Sequence, residues 1–261
     1  DYSSLEPVVL TGADSTGKGA AGQLFGEMVA AKVDEITGGQ LTIETYINGE
    51  LGADTDLLRQ MQNGDIDMVG SQIAALVSFA PELAIFDLPM VFATSDGDKI
   101  HEVLNGDSQT RAALDEAFEK ANWHLLGFLQ NATFRLTTAN TNLQDLASFE
   151  GLQIRTMENS YHLAFWKAIG ANPTPMSFSE VYIGLQQHTI DAQENPYEVI
   201  VSNNLYEQQD YVVETNHLPH LISLIVNDDF FQDLPADEQE IMTEAAKICL
   251  LYTSDAADEA R

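Results

Sequence analysis

Arg135, in Thr133-Phe-Arg-Leu-Thr-Thr138, and Arg155, in Gly151-Leu-Gln-Ile-Arg-Thr156, are two guanidinium groups in a chain that has only 11 lysines and arginines among 261 residues. Both stand in runs of β-type residues, where a side chain is held near a sheet and an unpaired charge is costly. The planar fork of arginine matches a carboxylate through two parallel hydrogen bonds. Two such forks converging on one cleft are the simplest device for gripping an organic anion. Two further residues fit that chemistry. Asn195 precedes Pro196, which favours an extended backbone and presents an amide that both donates and accepts. Pro173 and Pro175 stiffen a loop whose end reads as a Ser179 N-cap, placing Phe178 at the mouth of a helix, free to stack on or cover a ligand. Taken singly, Phe178 also reads as a staple residue and Asn195 as a turn residue.

Other motifs carry less. Gly12-Ala-Asp-Ser-Thr-Gly-Lys-Gly19 meets the phosphate-loop pattern GxxxxGK[ST] at every place but the last, where Gly19 replaces the magnesium-binding hydroxyl. Leu83-Ala-Ile-Phe-Asp87 imitates a second metal-holding motif, but Pro89 follows at once. The glycine turn reads better as a helix cap whose amides face an anion or a polar ligand. Glu214, His217 and His220 approach metal-ligand spacing, yet Pro219 between the histidines disfavours a regular helix presenting both, so no metal is expected. GxSxG and HExxH are absent, the lone Cys249 has no nucleophile partner in the pattern, and neither an enzyme nor a cofactor is expected.

The elements that must position these residues alternate. Pro7 to Thr11 reads as a strand, Gly19 to Ile36 as a helix closed by Gly38-Gly39, and Leu41 to Ile47 as a strand. Asp54 to Met61 is read as a helix and Ile66 to Val69 as a third strand. A single helix over 98–122 leads to a strand from Trp123 to Leu129. The second half has its own βα units: a strand at 151–155, a helix at 160–169 and another at 180–187. The pattern is α/β with a parallel sheet. No short repeat or low-complexity linker appears, so the halves are expected to be joined by strands that cross between them and act as hinges.

Charge and composition narrow the function. Against the 11 basic residues stand 41 Asp and Glu, a formal net charge of -30, which repels phosphate backbones and anionic membrane surfaces and argues against nucleic acid. A hydrophobic share of 44% is that of a soluble globular protein. The longer apolar runs, such as Leu221 to Val226, fall far short of the roughly 18 residues of a membrane span. No charged and apolar leader precedes Asp1, so if the protein is exported its signal segment has been removed from this numbering.

An ordered series of segments resembles the DctP-type solute-binding proteins of tripartite ATP-independent periplasmic (TRAP) transporters. They are Thr37-Gly-Gly-Gln-Leu41, Gly49-Glu-Leu-Gly52, Asn63-Gly-Asp-Ile-Asp67, Pro81 to Pro89, Gly151 to Arg155, Gly170 to Tyr182, Gln193-Glu-Asn-Pro196 and Thr215-Asn-His217. The resemblance implies a two-domain periplasmic-binding-protein clamp with hinge strands and a ligand cleft between the domains: 1–130 plus 218–250 as domain I, 131–217 as domain II. It implies capture of a small organic acid by closure and delivery to the transporter's membrane subunits, by a monomer working in the periplasm. The family's signature arginine falls on Arg155, its second basic contact on Arg135, its aromatic lid on Phe178 and its binding asparagine on Asn195. Lesser contacts fall on Thr11, Gly12, Asp54 and Gln72. Residues 250–261 depart from the family by losing the expected helical pattern, and read as an atypical, truncated end. The alternatives are a P-loop-like nucleotide-binding protein and the binding component of an ATP-driven importer.

Overall fold

The run from Ile222 to Asn227 is buried at every position, as expected of a strand covered on both faces. It is the fulcrum of the first of two sheets. The computed structural model describes residues 6–129 and 133–259, with side chains through residue 250. In the first half, β1 (Val8–Asp14), α1 (Ala21–Thr37), β2 (Leu41–Tyr46), α2 (Asp54–Asn63), β3 (Met68–Gln72) and α3 (Ile73–Leu76) alternate. A 3-10 turn at Pro81–Asp87, α4 (Gly97–Asn105), α5 (Gln109–Lys120) and β4 (Trp123–Leu129) follow.

The second half holds β5 (Phe134–Ala139), β6 (Gln153–Thr156), α6 (Ser160–Ala168), β7 (Asn172–Pro175) and α7 (Val181–Gln186). It continues with β8 (Ala192–Asn195), α8 (Tyr197–Ser202) and β9 (Tyr211–Pro219). The chain then returns as β10 (Ile222–Asn227), α9 (Asp228–Asp233) and α10 (Ala236–Glu259).

The sheets have strand orders β2-β1-β3-β10-β4 and β7-β6-β8-β5-β9. Each forms the floor of one lobe. The chain crosses between lobes twice, from β4 to β5 and from Pro219 at the end of β9 to Ile222 at the start of β10. Both sheets are mixed, which corrects the expected parallel one: β10 runs antiparallel to β3 and β4, and β5 antiparallel to β8 and β9. A returning strand that enters from the other lobe must run against its neighbours. Alternating side chains of the first sheet feed two cores. Val69 and Ile225 pack with Leu57, Met61 and Trp123, while Met68, Leu224 and Val226 pack with Phe25 and Val29 of α1 and Met242 of α10.

Three local expectations need correction. The helix read over 98–122 is two: the Gly106 N–H closes α4 on the Glu102 carbonyl (2.8 Å), and the Ser108 hydroxyl caps α5 by accepting from the Arg111 N–H (2.9 Å). Ser179 is not a cap but lies inside a 3-10 turn at Phe178–Glu180, where Ser177 donates to Glu180 at 2.6 Å. The helical backbone of α10 runs to Glu259, because alanine, leucine and acidic residues sustain a helix without apolar periodicity.

Direct bonds join the lobes. Asn159 of the second donates to Asp87 of the first (2.6 Å) and to the Ala74 carbonyl (2.9 Å), and His162 Nε2 lies 3.0 Å from the other Asp87 oxygen. The Met90 N–H donates to the His217 carbonyl at 2.8 Å, from a backbone held at a φ of 66°.

Candidate functional site

Between the sheets lies a cavity, open in part to solvent, with about 520 Å³ of empty space counted to its mouth. The second lobe contributes Arg155 from β6, Arg135 from β5 and Asn195 from the end of β8, the strand between them. From the first lobe come the C-terminal ends of the parallel strands β1 and β3, where ligands gather in open α/β sheets: Asp14 to Thr16 and Gly70 to Gln72. The first residues of α1 and Asp54, the first of α2, complete that wall.

Arg155 is 2% exposed. Its Nε and Nη2 donate to the Met176 carbonyl at 3.0 and 2.7 Å, its Nη1 donates to none of the described residues, and no described carboxylate pairs with it. Its charge lies 5.8 Å from the centre of the Phe178 ring, within cation–π range. Burial lowers its pKa to about 10, against the opposing field of Glu194, so the fork stays charged at neutral pH.

Arg135 is equally buried but already occupied. Its Nε and Nη2 grip the two carboxylate oxygens of Glu194, its Nη2 also reaches the Glu194 carbonyl (2.8 Å) and Asn195 Oδ1 (3.1 Å), and its Nη1 meets His220 Nδ1 at 3.0 Å. Glu194 also sits 3.1 Å from His217 Nε2. Burial alone would raise the Glu194 pKa, but Arg135 and the His217 contact outweigh it and hold the carboxyl far below the usual range. Burial, with Arg135 adding to it, takes His220 down to about 3, leaving that imidazole neutral. The expectation that Arg135 offers a free fork is thus corrected: it lines the cavity with its charge cancelled from behind.

Asn195 is committed in the same way, accepting from Arg135 and donating to Gln193 Oε1 at 2.7 Å. Gln72 lines the cavity while its Oε1 accepts from the Ala74 N–H (2.7 Å) as the cap of α3. Asp54 accepts from the Ser15 hydroxyl at 2.6 Å. Thr11 and Gly12 do not line the cavity. Both lie inside β1, whose pairing with β2 continues to Ala13, so the strand's end, and the wall, come with Asp14.

Residues that sequence reasoning missed are Asp14, Glu194, Glu198 and His220. Asp14 is 8% exposed; its Oδ1 accepts from the N–H (2.7 Å) and hydroxyl of Thr16, and its Oδ2 from no described residue. Burial, with the fields of Asp54 and Glu198, raises its pKa to about 7, although the Thr16 bonds oppose this. Glu198 Oε2 accepts from the N–H of Ala21, the first residue of α1, at 3.0 Å. The glycine turn before α1 is therefore not a phosphate cradle: its helix terminus holds an internal carboxylate, and Lys18 points to solvent. Only Glu194 left a signal, since a buried arginine needs an acid and Glu194 adjoins Asn195 in the quoted motif.

A family model described as bacterial extracellular solute-binding protein, family 7 (DctP) matches residues 13–261. A solute-binding protein of Verminephrobacter eiseniae is 32% identical over 218 residues, 84% of this chain and 64% of that protein. The sialic acid-binding periplasmic protein SiaP of Vibrio cholerae is 31% identical over 221 residues, 85% of this chain and 68% of its own length. The chain thus spans about two thirds of the length of these relatives. Among solved structures, a TRAP periplasmic solute-binding protein from Roseobacter denitrificans with bound L-galactonate superposes with a TM-score of 0.90 at 28% identity, covering 98% of this chain and 84% of that one.

Proposed function

The chain belongs to the DctP family of bacterial extracellular solute-binding proteins, and from that premise we propose that it captures a small organic acid in the cavity between its lobes and delivers it to the membrane subunits of a TRAP transporter. On this reading it is a periplasmic binder and breaks no bond. The two lobes act as domains that part and close about the crossings from β4 to β5 and from Pro219 to Ile222.

One observation carries the reading: Arg155 is a charged, 2% exposed guanidinium on the wall of the cavity, paired with no described carboxylate and with an Nη1 that donates to none of the described residues. A desolvated cation of this kind needs an anion, and a ligand carboxylate supplies one. Phe178 covers it, and Asn195 and Gln72 shape the wall beside it. The named ligands of two relatives, sialic acid and L-galactonate, are carboxylic acids, in keeping with this chemistry. Closure excludes water around the ion pair, strengthening it and linking affinity to the shut state.

The test is calorimetry with a panel of sugar acids, dicarboxylates and amino-substituted acids, run on the parent and on Arg155→Ala. At least one acid is expected to bind the parent at micromolar or tighter concentrations, about -8 kcal/mol or better. Unchanged affinity in Arg155→Ala would sink the assignment.

A further inference from the structure

Arg155 is outnumbered in its own cavity. With the charge of Arg135 cancelled by Glu194, three carboxyl groups from both lobes, Asp14, Asp54 and Glu198, face a single available cation. None of the three forms an ion pair with an internal lysine or arginine among the described residues, although Asp54 lies in the field of Arg155. Asp14 Oδ2 accepts from no described residue although the side chain is more than nine-tenths buried. Asp54 accepts one hydrogen bond among the described residues, from the Ser15 hydroxyl. Glu198 is held by the Ala21 N–H, with the ring of His220 at 3.7 Å.

We propose that the cavity is built for a zwitterion: an acid whose carboxylate meets Arg155 and whose positively charged nitrogen is taken by Asp14, Asp54 and Glu198. The inference rests on the carboxylate-binding reading above and adds the second half of the ligand. A dicarboxylate would bring a second negative charge toward three carboxyl groups, one of them buried and two partly so, which disfavours it. Hydroxyl groups would satisfy hydrogen bonds on those oxygens but leave their charge uncompensated. A cationic nitrogen does both.

The carboxyl groups are strained in the direction this predicts. All three have raised pKa values, burial being the first cause in each, and Asp14 is held at about 7. A cation arriving among Asp14, Asp54 and Glu198, with Arg155, Arg135 and neutral His220 lining the rest of the cavity and Glu158 acting on Asp54, pulls those values down and expels a proton at pH 7. A purely anionic ligand pushes them up and draws a proton in.

The experiment is titration calorimetry on the whole chain with 3-aminopropanoate, 4-aminobutanoate and 5-aminopentanoate, each beside its ω-hydroxy and dicarboxylate counterpart of matched length, and with gluconate. At the best length the amino acid is expected to bind about tenfold or more tighter than either counterpart. Repeating it at pH 7 in two buffers of different ionisation heat should show proton release. Asp14→Asn should erase the preference; Asp54→Asn serves if that variant does not fold. A counterpart that binds as well at every length, gluconate binding alone, or net proton uptake overturns the zwitterion while leaving the carboxylate reading standing. If none of these acids binds, both fall.

Discussion

Two guanidinium groups flank β8, buried to within one per cent of each other, and they do opposite work. Arg135 is met by an internal acid, an asparagine oxygen and a histidine, so its charge is spent inside the second lobe. Arg155 is met by one backbone carbonyl and by the cavity. Burial alone therefore does not distinguish a structural arginine from a binding one. The distinction lies in which side of the interface supplies the anion, and the two positions should part company when each is perturbed.

The largest expected effect is at Glu194→Gln. Removing one partner of a buried ion pair costs about 3–5 kcal/mol of stability, because Arg135 is left charged without compensation. Urea unfolding should show the loss whether or not ligand is present. Arg155→Ala should behave in reverse, with unfolding free energy within about 1 kcal/mol of the parent, since no internal pair is broken. Affinity for the ligand acid should fall by about a hundredfold, the worth of two charged hydrogen bonds. If both variants lose stability alike, the contrast drawn between the two arginines is wrong.

Next comes Asp14→Asn followed against pH. A carboxyl whose folded pKa is raised from 3.8 to about 7 stabilises the fold below its unfolded value and loses that contribution as pH rises through 7. The variant, unable to ionise, should gain on the parent from about pH 4 to pH 7 and hold a roughly constant lead of about 1–3 kcal/mol above. Glu194 runs the other way: its contribution is present above the ordinary carboxylate range and fades only in strong acid. Thermal melts from pH 4 to 8 separate the two. The smallest effect is at Asp87→Asn. The asparagine bond from Asn159 and the contact with His162 hold the lobes together away from the cavity, so ligand should dissociate faster and bind about three to ten times more weakly. Stopped-flow release measures it.

The alternating order of strands and helices in the first lobe was legible because each element carries its own period, and α1 announces its end with Gly38 at a φ of 62°. The mixed character of the sheets was not, because nothing local in Ile222 to Asn227 says that the strand returns from the other lobe. The importance of Arg155 could be read from its type and setting, while the sequestration of Arg135 could not: it depends on Glu194, 59 residues away. Thr11 and Gly12 were misplaced because threonine followed by glycine reads as the close of a strand, whereas pairing with β2 carries it on to Ala13 and pairing with β3 to Asp14. Asp14 was hidden among 41 acidic residues, and only its enclosure singles it out.

The bond from the Ala21 N–H to Glu198 has a consequence for the empty protein. If the lobes part as proposed, a helix terminus trades a carboxylate for solvent, so opening carries an energetic penalty even when nothing is bound. A sizeable resting population should therefore be shut, and shortening Glu198 to alanine should shift that population toward the open form in small-angle scattering without any cargo present.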